Sequence, residues 1–434
     1  MAEYLIQDST LSAIGNAIRE KTSSASPIPV SQMASTIRNI QAGNGEFIDF
    51  IEHRGNSLFS DSEVTQIGSY VFYSASHLSA VICPACTRIG DEAFGRCTNL
   101  TSVSFPECLS IGSKAFSMCS RLSSIFFPVC KEIADYAFQS CYSLIAASFP
   151  ACTRIGDSAF YSCSNLTTAF FPECTSIGVW AFRDCTSLAS VSFPECTSIG
   201  AHAFLRCSSL TSVSFPECTY IYSDAFQQCS NLTTAFFPKC TTIGDTAFGY
   251  CSSLASVSFP ECTSIGAKAF TNCPNLTIAS FPKCISMGQS AFSSCTNLTT
   301  AFFPECTSIG AYAFSSCTNL TIASFPKCAT IDSYAFYFCR SLASISFPEC
   351  ISIRSAAFQK CTMLTSLYLL GSSVAIIDTN VFNSTPIGGY STEVGQYGSV
   401  YVPASLLTAY QTAVNWSVIS SRIVGLTDEE IAAL

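Results

Sequence analysis

The chain has 434 residues, 48% of them hydrophobic and only 11% charged, with a formal net charge of −9. This is too apolar for a disordered chain, and an acidic balance without clustered Lys and Arg argues against a phosphate-backbone partner, so no nucleic acid is expected. No run of about 20 apolar residues is present, which leaves no candidate membrane-spanning helix, and the length exceeds one ordinary globular core unless the chain is a solenoid.

The opening, "MAEYLIQDSTLSAIGNAIREKTSS", has acidic and polar residues where a secretion signal carries a basic end and an apolar stretch, so standard export is not expected. Residues 1–45 contain neither cysteine nor repeat. Leu11, Ile14 and Ile18 fall on one helical face behind Ser9 or Thr10 as cap, and Ser31 can cap a second helix carrying Met33, Ile37 and Ile40. Two short helices bury too little to be stable alone, so docking or self-association is expected and 1–45 reads as a helical attachment module. Residues 46–66 read as a cap ahead of the first repeat, ending in "SDSEVTQ".

From Ile67 to Ile353 the unit I-G-x-x-A-F-x-x-C-x-x-L-x-x-x-x-F-P-x-C-x-x starts fourteen times at a spacing of 22 residues. Self-similarity at a fixed period marks a solenoid, because one unit cannot bury its apolar side without stacked neighbours. "LTSVSFPEC" (100–108) fits the leucine-rich template L-x-x-L-x-L-x-x-N/C, so its middle should be a short parallel strand. "IGDEAFGRC" (89–97) places Ala93, Phe94 and Cys97 at helix-like spacing and reads as a short helical turn returning the chain. The expected fold is therefore an α/β repeat solenoid over 67–370, fourteen units long, or roughly 65 Å at about 4.8 Å per in-register strand. A register test is built in. The residue before the second cysteine runs Glu217, Lys239, Glu261, Lys283, Glu305, Lys327, Glu349 in successive units, so stacking sets opposite charges side by side. Glu173, Glu195 and Glu217 are the exception.

Twenty-six of the 27 cysteines recur every eleven residues as a consequence of the repeat, and only Cys83 stands outside that series. "CPAC" (83–86) imitates a redox or half-zinc motif, yet Cys83 sits in a slot that is phenylalanine at Phe105, Phe149 and Phe171. Buried reduced thiols filling a narrow column are the plain reading of both ladders. A stack of disulfides suits parallel side chains poorly, and metal sites lack partners in a chain whose histidines are His53, His77 and His202. No Ser-His-Asp or Cys-His pair, carboxylate pair or phosphate-cradling glycine loop is suggested, so no catalytic, cofactor or metal residues are assigned.

Slots that differ among internal copies show where the framework leaves the residue free. The slot before Ala-Phe holds nearly every chemical type, including Tyr136, Trp180, His202, Tyr312 and Tyr334, either by drift on a solvated face or as anchors for a ligand. A second slot, usually serine, is Phe126, Phe170, Phe236 and Phe302 in four units. Alternation points those rings to the concave side, and Ala169, Ala235 and Ala301 beside three of them leave room for a rival repacking inward. Residues 371–434 read as a C-terminal cap: "GSVYVPASLLTAYQTAVNWSVISSRI" (398–423) is a strand followed by a helix starting at Pro403, and "LTDEEIAAL" is a capped helix.

The unit "IGxxAFxxCxxLxxxxFP" resembles the BspA-like class of bacterial leucine-rich repeats over residues 67 to about 364, which implies a curved solenoid used to bind host surfaces or other proteins. "LSAIGNAIREKTSSASPIPVSQMASTIRNI" resembles an N-terminal segment of tail and tail-fibre proteins of phages and prophages of Firmicutes-type hosts. "YVPxxLxxAYxxAxNW" resembles the closing module of such repeat proteins. Together these resemblances imply a non-enzymatic, tail-associated protein for host recognition or adhesion, made in the bacterial cytoplasm and carried in the virion, where reduced thiols are in keeping. Its partners would be a host-cell surface protein or glycan, and other tail proteins through residues 1–45. The alternatives are a bacterial cell-surface adhesin exported by a nonstandard route and a structural spacer without a ligand.

Overall fold

The computed structural model describes residues 57–434; the attachment module expected at 1–45 and most of the cap expected at 46–66 lie outside the described residues. Each coil of the solenoid crosses three sides. On the first, three residues such as Ser102–Ser104 form a parallel strand, and on the second, two residues such as Ser110–Ile111 form another. The two-residue strands stack into a continuous 15-stranded parallel sheet from Gln66–Ile67 to Ile376–Ile377, one coil beyond the fourteen units of the sequence. Register follows the repeat, so Ile155 pairs with Ile133 and Ile177, its copies one coil away.

The third side differs from the expected helical turn. In "EAFGRC" (92–97), Glu92 and Arg96 adopt left-handed φ values of 52° and 60°. The N–H groups of Glu92, Phe94 and Arg96 donate to Ser113, Ala115 and Ser117 of the next coil at 2.7 to 2.8 Å, while those of Gly95 and Cys97 close turns onto Glu92 and Phe94. A helix would spend these donors within its own segment, whereas two successive turns direct alternate donors along the stack, where carbonyls of the next coil wait. Each left-handed residue costs on the order of 1 kcal/mol. The same two slots are nonetheless left-handed and non-glycine in every coil from Tyr70 to Ser384. The repeats are thus a β solenoid, with helix among the described residues confined to the C-terminal segment.

Two columns of phenylalanine fill the interior. Phe94, Phe116 and Phe138 stack at 5.0 and 5.2 Å with nearly parallel planes, and Phe105, Phe127 and Phe149 do so at 6.0 and 5.3 Å. The columns meet edge to face, as at 5.9 Å between Phe138 and Phe149, an arrangement ring quadrupoles favour. The thiols have defined work beside them. Cys119 Sγ donates to the Phe94 carbonyl of the preceding coil at 3.1 Å, and Cys108 Sγ to the Ser110 carbonyl at 3.3 Å, a pattern repeated along both ladders. Cysteine is small enough for the column and still brings a donor to a buried carbonyl. All 27 cysteines are free and buried.

Beyond the last coil, strand Ser399–Pro403 pairs in parallel with Ser366–Tyr368, and Ile423–Leu426 pairs outside it. Between them run a 3-10 turn Ala404–Leu406, a helix Leu407–Thr412 and a 3-10 stretch Ser417–Arg422. The helix therefore begins one turn after Pro403. Tyr410 and Trp416 are fully buried against the end of the stack. Tyr410 Oη accepts from the Ala375 N–H at 3.0 Å, Trp416 Nε1 donates to the Ala375 carbonyl at 2.7 Å and Asn415 Nδ2 to that of Ile377 at 2.8 Å. A final helix, Asp428–Ala432, is capped reciprocally by Thr427 and Glu430. No helix among the described residues is long and apolar enough to cross a membrane.

Candidate functional site

The candidate residues divide between two sides of each coil and do not form one site. Phe126, Phe170, Phe236 and Phe302 end their three-residue strands and point outward, 42 to 59% exposed. The residue before each ring, Ile125, Ala169, Ala235 or Ala301, is buried instead, so strand alternation holds and inward repacking does not occur. Serine flanks each of the last three rings on both sides: Phe236 stands between Ser214 and Ser258, and Phe302 between Ser280 and Ser324. From Phe170 through Phe236 and Phe302 to Tyr368 the row recurs every third coil, roughly 14 Å apart at about 4.8 Å per coil. Ile278 and Ile322, both exposed, widen the apolar surface around Phe302.

Tyr136, Trp180, His202, Tyr312 and Tyr334 occupy the first left-handed slot of the turn side, with φ between 57° and 59°. Stacking of copies brings two pairs together: Tyr312 and Tyr334 lie parallel at 4.7 Å, and Trp180 meets His202 at 5.9 Å. Tyr136 instead receives Lys114 Nζ at 5.9 Å from its ring centre. Around Trp180 the structure gathers residues the sequence reading passed over. Arg183 lies over the Trp180 and Tyr161 rings at 5.7 and 5.6 Å and bonds Asp184 at 3.3 Å. Arg206 reaches Asp184 at 3.8 Å, and His202 Nδ1 reaches Asp224 Oδ2 at 3.7 Å. Desolvation raises the Asp224 carboxyl above the usual range, opposed in part by His202. Around Tyr334, Tyr337 packs edge-on at 5.7 Å and Arg340 lies 4.0 Å over Phe338. The signal that could have found these groups is the 22-residue offset itself, which joins His202 to Asp224 and Asp184 to Arg206.

The thiol motifs lack the marks of chemistry. Burial pushes the Cys83 thiol up to about 12 and the Cys86 thiol to about 11, the opposite of an activated thiolate. Among the described residues no group of three His, Cys, Asp or Glu side chains is arranged to hold a metal ion. The alternating charges do meet. Lys239, Lys283 and Lys327 reach Glu217, Glu261 and Glu305 at 2.6 to 2.7 Å, each toward the preceding coil. These pairs lie in solvent, where screening leaves them little energy, and they serve mainly to mark register.

Comparison with known proteins accords with this geometry. The family described as "BspA type Leucine rich repeat region (6 copies)" matches residues 65–189, 153–277, 219–326 and 285–392. No curated protein matches the chain. Among solved structures, a leucine-rich repeat protein from Bacteroides ovatus is 22% identical, with 85% of this chain and 92% of that one covered and a TM-score of 0.61, a likeness of fold. A leucine rich cell surface protein from Faecalibacterium prausnitzii is 24% identical over 76% of this chain and 86% of its own, with a TM-score of 0.36. A leucine-rich repeat protein from Eubacterium ventriosum is 21% identical over 74% and 87%, with a TM-score of 0.39.

Proposed function

This chain belongs to the BspA-type leucine-rich repeat family, and on that premise we propose that it is a non-enzymatic binding protein whose strand face engages a partner on a cell surface. The observation that carries the reading is the exposed row Phe126, Phe170, Phe236 and Phe302, in a slot the neighbouring coils fill with serine. Rings held 42 to 59% exposed add little to the core, and a large solvated apolar row on an otherwise uniform framework marks a contact surface. Spacing over several coils lets modest contacts add, so that affinity grows with the number of coils engaged. Within this reading the protein serves host recognition or adhesion in a phage or prophage tail, carried in the virion and joined to other tail proteins through residues 1–45. The resemblance of that segment to tail proteins is its support. A bacterial cell-surface adhesin with the same binding face is the second reading, favoured by the family alone.

Replacing all four rings with serine, the residue of the neighbouring coils, is expected to lower binding to host cells at least about tenfold while leaving the melting transition intact. Unchanged binding overturns the strand face as the contact surface. For the setting, gradient-purified tail-like particles are probed beside washed envelopes. Co-migration with particles that is lost when residues 1–45 are deleted supports the tail, and recovery only in the envelope overturns it in favour of the adhesin.

A further inference from the structure

The turn side carries a second pattern, in charge. In each unit this side runs from the slot before Ala-Phe to the second residue after the first cysteine, 92–99 in one copy. Over all fourteen copies these stretches hold 8 Lys and Arg against 3 Asp and Glu, whereas the rest of the same repeats, 67–370, holds 7 against 13. The three acids are half-buried and each is matched: Glu92 by Lys114 at 3.8 Å, Asp184 by Arg183 and Arg206, and Asp224 by His202. The exposed charges of this side, Arg96, Lys114, Arg121, Arg206, Lys268 and Arg340, are all basic, and of these Lys114 and Arg206 are the partners of Glu92 and Asp184. An acidic molecule thus keeps one basic side.

On that side the cations rest on rings. Among the described residues of the repeats, every cation over an aromatic face lies here: Lys114 on Tyr136, Arg183 on Trp180 and Tyr161, Arg340 on Phe338, and Lys360 on Tyr337 and Phe338. A guanidinium over a ring is held in place while keeping several N–H donors: Arg183 gives one to Asp184 and has others left for a carboxylate, and Arg340 lies 4.0 Å over Phe338. The aromatic groups around Trp180 and Tyr312 are six coils apart, roughly 30 Å at about 4.8 Å per coil, and lie in one row along the stack. Slots between them are small or polar, such as Thr246 and Ser290. A row of separated ring-and-cation sites along the stack suits an extended anionic polymer better than a compact surface.

We infer that the turn side binds an acidic polysaccharide lying along the stack, its sugar faces on the exposed rings around Trp180 and Tyr312 and its carboxylates on Arg183, Arg206 and Arg340. The inference rests on the binding reading above but assigns a second face and a ligand class. Sugar rings offer apolar faces to Trp180 while uronate carboxylates take the guanidinium edges, and the sites add along one chain.

The test uses the full chain and polygalacturonate, with neutral dextran and poly-glutamate as comparison polymers. The protein has two tryptophans, Trp180 at 38% exposure and Trp416 fully buried, so a change in tryptophan fluorescence reports this side and vanishes in Trp180→Phe. Polygalacturonate is expected to bind, to shift the emission, and to bind at least about tenfold more weakly to the Arg183→Gln/Arg340→Gln double variant. Lys239→Gln/Lys283→Gln, which removes the same charge from the Glu-Lys row, should leave binding unchanged once circular dichroism shows both proteins folded. No binding of polygalacturonate, equal binding of poly-glutamate, or equal loss in the two double variants overturns the inference. Its failure leaves the strand-face reading standing if the four Phe→Ser changes still lower cell binding as expected above, and the two are thereby told apart.

Discussion

In the repeat stack, between Cys83 and Cys361, buried carbonyls receive thiol hydrogen bonds; in the closing segment, residues 371–434, which holds no cysteine, Asn415 and Trp416 donate to the carbonyls of Ile377 and Ala375 while Tyr410 Oη accepts from the Ala375 N–H. The difference follows from periodicity. Inside the stack every coil faces a copy of itself, so one small donor repeated at a fixed position suffices. At the last coil no copy follows, and the backbone of Ala375 and Ile377 must be met by side chains that also cover the end of the phenylalanine column. Trp416 does both, lying 6.0 Å from Phe382 while its indole N–H bonds the Ala375 carbonyl. A periodic core needs one residue type, and an end needs several.

The sharpest way to break this comparison is alkaline pH, which should act more strongly on the many buried thiols of the stack than on the closing segment, where burial raises the Tyr410 hydroxyl. Burial raises Cys86 to about 11 and Cys97 and Cys108 to about 12 from an ordinary 9.0. Because the folded values lie above the unfolded one, stability is full below pH 9 and falls as pH rises toward 12. Unfolded thiols ionise in that window while folded ones stay neutral. Each thiol raised in this way can remove up to about 1.4 kcal/mol per pH unit, and these contributions add along the ladders. Circular dichroism should show cooperative loss of the solenoid within this window, and a fold intact at pH 12 would refute the account.

A smaller effect is expected from a single gap in the column. Phe226→Ala removes contacts to Phe204 and Phe248 at 5.1 and 5.2 Å on either side and should cost about 3 to 5 kcal/mol in urea unfolding. A loss under 1 kcal/mol would mean that the coils close over the gap. Smallest is Tyr410→Phe, which keeps the ring but leaves the Ala375 N–H unpaired in a buried place. The expected cost is about 1 to 3 kcal/mol, read as faster hydrogen exchange in the last coils and little change at mid-stack. Uniform change along the chain would argue against separate treatment of the end.

Much of the stack was legible in advance because a strict period places each residue beside its copy. The pairing of Lys283 with Glu261 and the burial of both cysteine ladders follow from that alone. The turn side was misread as helical because Ala93, Phe94 and Cys97 fit helical spacing and two successive turns equally well. Local pattern does not say where an N–H is satisfied, and here the Glu92 donor finds Ser113. The phenylalanine row was ambiguous for a related reason: Ala169, Ala235 and Ala301 leave room on paper for a ring to turn inward, and only the filled column beneath them excludes it. The ring-and-cation groups at Trp180 and Tyr312 were half visible, since the slot was noted but its neighbours one coil away were not paired with it.

By itself, then, the sequence determined that this chain stacks in parallel coils of 22 residues with phenylalanine and cysteine inside, since no other arrangement buries a repeated apolar side. Tertiary structure decided the left-handed turns, the outward set of the four phenylalanines and the closure of the stack by Tyr410 and Trp416. Each of these depends on a hydrogen bond or packing partner about twenty residues or more away, which a coil meets only after its neighbour is in place.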